Sequence, residues 1–304
     1  MTISFKCPHC DNLCAFADRH AGRRARCTRC QGRFFIPSRD GDPARKVRDV
    51  LAEAPLSGFY RAVFIDTWPL FIRPENIASL VFLAAVVCFR FFLVHQNYSF
   101  VVPGFGLNVP TDWIVAIISW GCLFWFYMSI VEAAAMGQDE LPDIEVGQGF
   151  EFIWTMLKSI YLFIVAAVLA LLPFVALIEA LRSYLHIELG WFRHVLVAMG
   201  LFIFPMTLLT ICCAGEMWMV FRPDYIVLPI IRAPRPYLVT AFLVAAAGLI
   251  QAAARHYGTI ADEPLWVIAA YLLLNLLAVV AGILAMRTVG LFLRHYSVYF
   301  DWKK

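Results

Sequence analysis

Most of this chain alternates not between apolar and polar residues but between long apolar runs and short polar breaks. Five runs carry no charged residue: 113–131, 159–178, 195–215, 237–254 and 265–286. A sixth, 77–96, is interrupted by Arg90. Each is close to the roughly 20 residues an α-helix needs to cross a bilayer's hydrocarbon. A helix satisfies its own backbone hydrogen bonds in lipid. The pattern therefore predicts an all-α membrane protein with six transmembrane helices. Pro173 and Pro205 fall within the third and fourth runs, where proline can kink a membrane helix.

Shorter apolar stretches adjoin these runs. Residues 59–71 (FYRAVFIDTWPLF) are aromatic-rich but broken by Arg61 and Asp66, which suits a segment lying in the membrane interface; Arg73-Pro74-Glu75 ends it. Residues 150–157 and 225–231 precede the third and fifth runs in the same way. Trp113, Trp191 and Trp266 stand at or near the starts of the even-numbered runs, 78 and 75 residues apart. Interfacial segment, span, outer loop and span would make a unit repeated three times. Tandem repeats occur in transporters, yet aromatic belts place tryptophan at interfaces in any membrane protein.

The first 37 residues break this pattern. Within CPHCDNLCAFADRHAGRRARCTRC stand two Cys-x-x-Cys pairs, Cys7/Cys10 and Cys27/Cys30, separated by sixteen residues. Such pairs sit on tight turns and point two thiolates at one ion, and the residues between bring the second pair back to complete a tetrahedron. Cys7, Cys10, Cys27 and Cys30 are thus expected to hold a structural Zn2+, because four protein ligands leave no open position for catalysis. Cys14 is then a spare packed or surface thiol, and His9 and His20 are not needed as ligands. Residues 5–38 resemble the short zinc ribbons that open many bacterial membrane proteins and regulators, through the cysteine spacing and Gly22-Arg23-Arg24. A polar linker, 38–58, leads to the membrane domain, 59–304.

Composition agrees with this division. Hydrophobic residues are 62% and charged residues 15%, with a mean hydropathy of +0.73; a soluble domain has about 45–50% apolar and about 25% charged residues. Net charge is +3. Residues 1–50 hold eleven Lys and Arg against five Asp and Glu, a net of +6, which leaves −3 for the remainder. Six arginines (19, 23, 24, 26, 29 and 33) crowd the ribbon. They compensate a tetrathiolate zinc, whose formal charge is −2, and favour the thiolate form. Lipid or protein contact is a second reading. Nucleic acid is a weaker one, because few aromatic residues interleave with them. The other four cysteines, 88, 122, 212 and 213, lie in apolar runs and act as small hydrophobes. A disulfide framework is not expected, and no cleavable signal peptide is visible.

Loop charges give a topology. Residues 97–112 and 261–264 carry no Lys or Arg, whereas Lys158, Arg222, Arg232, Arg235, Arg287, Arg294, Lys303 and Lys304 fall on the opposite side. Arg182, Arg193 and Arg255 are exceptions. The positive-inside bias puts both termini in the cytoplasm, where zinc-binding thiols stay reduced. The whole pattern is similar to bacterial polytopic membrane proteins with an N-terminal four-cysteine zinc ribbon, with GQDELPD (137–143) and RAPRPYL (232–238) in the place of comparable loops. That resemblance carries over no established activity, and the location expected is a bacterial inner membrane.

Ionisable residues in spans are functional candidates. Arg90 is expected to snorkel outward. Glu132, Glu216 and Arg287 stand near equivalent ends of spans two, four and six and suggest an intramembrane polar cluster. Asn275 suits an interhelical hydrogen bond. The acidic residues 138–145 (QDELPDIE) lack a calcium loop's ligand spacing. No His-Glu-x-x-His, Gly-x-Ser-x-Gly or phosphate-binding loop occurs, and His95, His186, His194, His256 and His295 are scattered. The sequence is read as a non-enzymatic membrane protein whose ribbon stabilises the chain or docks a cytoplasmic protein; its other partner is the lipid bilayer. The alternative is a transporter or channel regulated by the ribbon.

Overall fold

The structure, a computed structural model, describes residues 2–8, 10, 12–17, 24–27, 33–37, 55–93, 98–102, 105–109, 111–144, 150–185, 190–214, 222–254 and 264–300. The chain forms two compact units, Met1–Pro55 and Leu56–Lys304. The division falls inside the expected linker, of which 38–54 lie outside the described residues.

The first unit is built from two hairpins. Strand β1 (Thr2–Lys6) pairs antiparallel with β2 (Leu13–Ala17), and β3 (Arg24–Arg26) pairs antiparallel with β4 (Arg33–Phe35). Alternation makes the first hairpin one-sided. Ile3, Phe5, Cys14 and Phe16 are covered, while Ser4, Lys6, Leu13 and Ala15 are exposed. The register pairs Phe5 with Cys14 and Ile3 with Phe16, so covered residues meet covered residues. Phe34 lies edge-on to Phe5, with ring centres 5.2 Å apart, and to Phe16 at 6.1 Å. Cys7, Cys14, Cys27, Phe34 and Ile36 form the centre of this small core.

The second unit holds six helices long and apolar enough to cross a membrane, as the six runs predict. They are α2 (Ile77–Leu93), α3 (Thr111–Ala135), α4 (Phe150–Leu185), α5 (Phe192–Ala214), α7 (Pro234–Ala253) and α8 (Leu265–Tyr296). Two short helices precede spans, α1 (Phe59–Phe64) and α6 (Pro223–Arg232). Exposed apolar side chains such as Val81, Trp154, Leu172, Phe242 and Leu273 face outward. On a soluble monomer such continuous apolar surface would be a liability; here it is the lipid-facing surface of an integral membrane protein.

Helix α8 is the axis of packing, in contact with α1, α2, α3, α5 and α7. Its 32 residues extend about 48 Å at about 1.5 Å per residue, beyond the roughly 30 Å of hydrocarbon. The surplus is enclosed by protein: Gly282, Ile283 and Ala285–Leu293 are all buried. Small residues permit this. A Cβ at Gly290 would collide with the Val131 carbonyl and come within 2.7 Å of Ala134, and one at Gly282 would run into the Tyr127 ring. Close approach through small residues is how membrane helices gain contact where no hydrophobic effect drives them together.

Several expectations change. Residues 150–157 are not a separate interfacial segment but the first turns of α4, because nothing between Phe150 and Lys158 breaks a helix. The connection 97–112 contains a hairpin, β5 (Tyr98–Val102) with β6 (Phe105–Val109). Arg90 does not snorkel outward. It is buried, with its guanidinium 4.2 Å from the centre of the Trp120 ring, so an aromatic face replaces water as partner. Both prolines expected within spans are accommodated, Pro173 in α4 and Pro205 in α5. Trp113, Trp191 and Trp266 are all exposed at or beside the starts of α3, α5 and α8, as a belt requires.

Candidate functional site

Each Cys-x-x-Cys pair begins on the residue after a strand: Cys7 follows β1 and Cys27 follows β3. The first pair sits in a tight turn closed by the Cys7 amide donating to the Asn12 carbonyl at 2.8 Å. The Sγ atoms of Cys7, Cys10 and Cys27 all lie within 4.8 Å of one another. Cys10 and Cys27 are 3.7 Å apart. That is far longer than the roughly 2.05 Å of a disulfide. It matches the edge of about 3.8 Å that a tetrahedron acquires when its arms are zinc–sulfur bonds of about 2.3 Å. These three cysteines could therefore bind a metal. Cys30, the expected fourth ligand, lies outside the described residues, as do His9 and His20. Cys14 lies nearby in the same small core: it is buried, with its Sγ 3.7 Å from the Asn12 carbonyl oxygen.

The second concentration of polar chemistry lies at one end of the helical unit. There the chain leaving α3 turns at Gly137, whose φ of +78° favours glycine, and runs back across the start of α2. Three side chains staple it down. Arg73 donates to the Asp139 carbonyl at 2.8 Å, Asn76 accepts from the Leu141 amide at 2.9 Å, and Ser79 donates to the Pro142 carbonyl at 2.8 Å. Asn76 is fully buried and also donates to Leu70 at 2.9 Å. The loop is thereby tied to the interfacial segment as well.

The staple delivers Asp139 to the end of α8. Its carboxylate accepts a hydrogen bond from Arg287 at 3.3 Å and pairs with Arg294 at 3.6 Å. Of the expected cluster of Glu132, Glu216 and Arg287, Glu132 is half-buried on α3 and Glu216 lies outside the described residues. The acid that Arg287 meets is Asp139. Nothing in the local sequence singles it out, since it stands in a loop 148 residues from Arg287. The available signal is the concentration of arginines at neighbouring helix ends opposite one acidic loop. His295 ties the start of this unit to α8, with its Nδ1 3.1 Å from the Leu56 carbonyl while the Leu56 amide donates to the His295 carbonyl at 2.9 Å. Asn275 makes the expected interhelical hydrogen bond, donating to Ala254 at 3.1 Å.

No family model, no curated protein and no solved structure matches this chain. The functional reading therefore rests on these geometries.

Proposed function

We propose that the protein is a non-enzymatic multi-pass membrane protein whose N-terminal module is a structural zinc ribbon, facing the cytoplasm, that docks a cytoplasmic protein. The observation that carries this reading is the convergence of three sulfur atoms within 4.8 Å of one another, Cys10 and Cys27 at 3.7 Å, with Cys30 as the fourth ligand expected from the sequence. Four thiolates would saturate the ion, which would then order a module in which only a handful of the described side chains are buried. Holding folded structure together is the ordinary role of such a site. The reading places it in a bacterial inner membrane with both termini inside; the loop charges and the need for reduced thiols support that orientation.

The scaffold role is supported by how the spans are used. Among the described residues, Arg287 is paired with Asp139 and Arg90 lies over the Trp120 ring, both within the bundle. The α3–α8 contact is packed closely enough to exclude a Cβ at two glycines. These features suit an anchor better than a path for a solute.

In-cell crosslinking tests the docking role, comparing the intact protein with a Cys7→Ser/Cys27→Ser variant at equal membrane abundance. Docking predicts a defined cytoplasmic protein that is captured by the intact chain and lost with the variant. An identical captured set from both would overturn it.

A further inference from the structure

The polar end of the helical unit encloses a cleft of about 560 Å³, within the range of about 300–1,000 Å³ usual for small-molecule sites. Four guanidinium groups line it, Arg61, Arg73, Arg287 and Arg294, against two carboxylates, Asp66 and Asp139. Arg61 pairs with Asp66 at 3.7 Å, and Asp139 is shared between Arg287 and Arg294. Arg73 contributes its hydrogen bond to a neutral carbonyl. These charged groups therefore carry a net +2. Arg287 is the telling member. Its side chain is only 5% exposed, yet its Nε has no hydrogen-bond partner among the described residues. A guanidinium taken out of water with a donor unused is costly unless something supplies the missing acceptor.

The surroundings indicate where that acceptor comes from. One wall of the cleft is the interfacial segment, through Arg61, Ala62, Asp66 and Pro69. The same segment exposes Phe64, Ile65, Trp68 and Ile72, a set suited to the boundary between headgroups and acyl chains. The cleft thus sits at the depth of lipid phosphates. Guanidinium forks bind phosphate by paired, charge-assisted hydrogen bonds, and basic pockets between membrane helices take anionic headgroups.

We propose that this cleft is a binding site for a phosphate-bearing anion, and that its place in the membrane interface assigns it to an anionic phospholipid headgroup. The proposal is independent of the metal centre and of docking.

The test uses the full chain in phosphatidylcholine nanodiscs, with and without phosphatidylglycerol, and in phosphatidylcholine nanodiscs with inorganic phosphate added. Thermal unfolding and native mass spectrometry of retained lipid are the readouts. Phosphatidylglycerol is expected to raise the Tm and to be retained. Arg61→Gln, whose side chain is largely exposed, should weaken retention about tenfold, the worth of one charge-assisted contact. Arg287→Gln should weaken it further. Arg193→Gln, an exposed position at the start of α5, should leave retention unchanged. Stabilisation by inorganic phosphate alone, lost in Arg61→Gln, would keep the phosphate site but reassign its source to a soluble anion. No stabilisation by either probe, or equal losses in Arg61→Gln and Arg193→Gln, would overturn the proposal. Because Arg61 makes a single, exposed ion pair among the described residues, its variant keeps the test decisive if Arg287→Gln fails to fold.

Discussion

At the scale of single residues, the helical unit depends on a few polar side chains that choose partners far away in sequence. Asp139 is 60% exposed, but the Arg287 it faces is not. Removing the acid leaves a buried cation without its counter-charge. Asp139→Asn is expected to cost about 1–2 kcal/mol in detergent unfolding, below the full penalty of a buried pair because Asp139 itself remains solvated. Arg287→Met in the same background should recover part of the loss, and a double-mutant cycle measures the coupling. Asn76 has more to lose. It is buried and satisfies both the Leu70 carbonyl and the Leu141 amide. Asn76→Ala should cost about 2–3 kcal/mol, the penalty of leaving buried polar groups unpaired, and should release the loop to protease ahead of global unfolding. Equal protease resistance in the variant would count against the stapling role. These residues were not legible in sequence. Pairing across 65 or 148 residues depends on where a loop is folded back, and composition carries no record of that. Asn275 was legible, since an amide within an apolar run has to find a partner on a neighbouring helix or its own.

At the scale of elements, long apolar runs were enough to place every span, even the first, which Arg90 interrupts, because the bilayer imposes one length and one backbone solution. The ends were less legible. Lys158 and Glu179 mark where an apolar run stops, but neither stops a helix, so α4 extends from Phe150 to Leu185. The α6 helix, by contrast, ends at Arg232, before Pro234 opens α7. The hairpin β5–β6 had a signal in Pro103-Gly104 between two β-rich stretches, obscured by the apolar runs on either side. Packing between elements makes a sharper prediction. Gly290 lies directly against the Val131 carbonyl, a backbone atom that cannot swing away. Gly290→Leu is therefore expected to force α3 and α8 apart and to lower stability by about 1–3 kcal/mol or more. Gly248, with open space around its Cα, should accept alanine with little change. Similar melting temperatures for the two variants would contradict the α3–α8 contact.

At the scale of the whole molecule, two units obey different solvents. The helical unit is held by lipid-facing apolar surface and close helix packing. Among the described residues, the N-terminal unit has a core of five buried residues, three of them cysteines, too small to hold a fold by burial alone. If zinc supplies the difference, chelation should abolish the β-hairpins' amide protection while leaving the helical circular dichroism and the Tm of the bundle in place. Simultaneous loss of both would mean that the units do not fold separately. The cysteine pattern made three of its thiols legible as a group, because ligands for one ion must converge on one point whatever the intervening chain does. A docking partner would leave no comparable mark on the sequence.

The most direct measurement is zinc K-edge X-ray absorption on the purified full-length protein, with metal content determined on the same sample. The account predicts one zinc per chain, surrounded by four sulfur atoms at about 2.3 Å, and loss of the metal in Cys27→Ser. A protein purified in zinc-replete medium that carries no zinc, or a site completed by nitrogen or oxygen ligands, would contradict it.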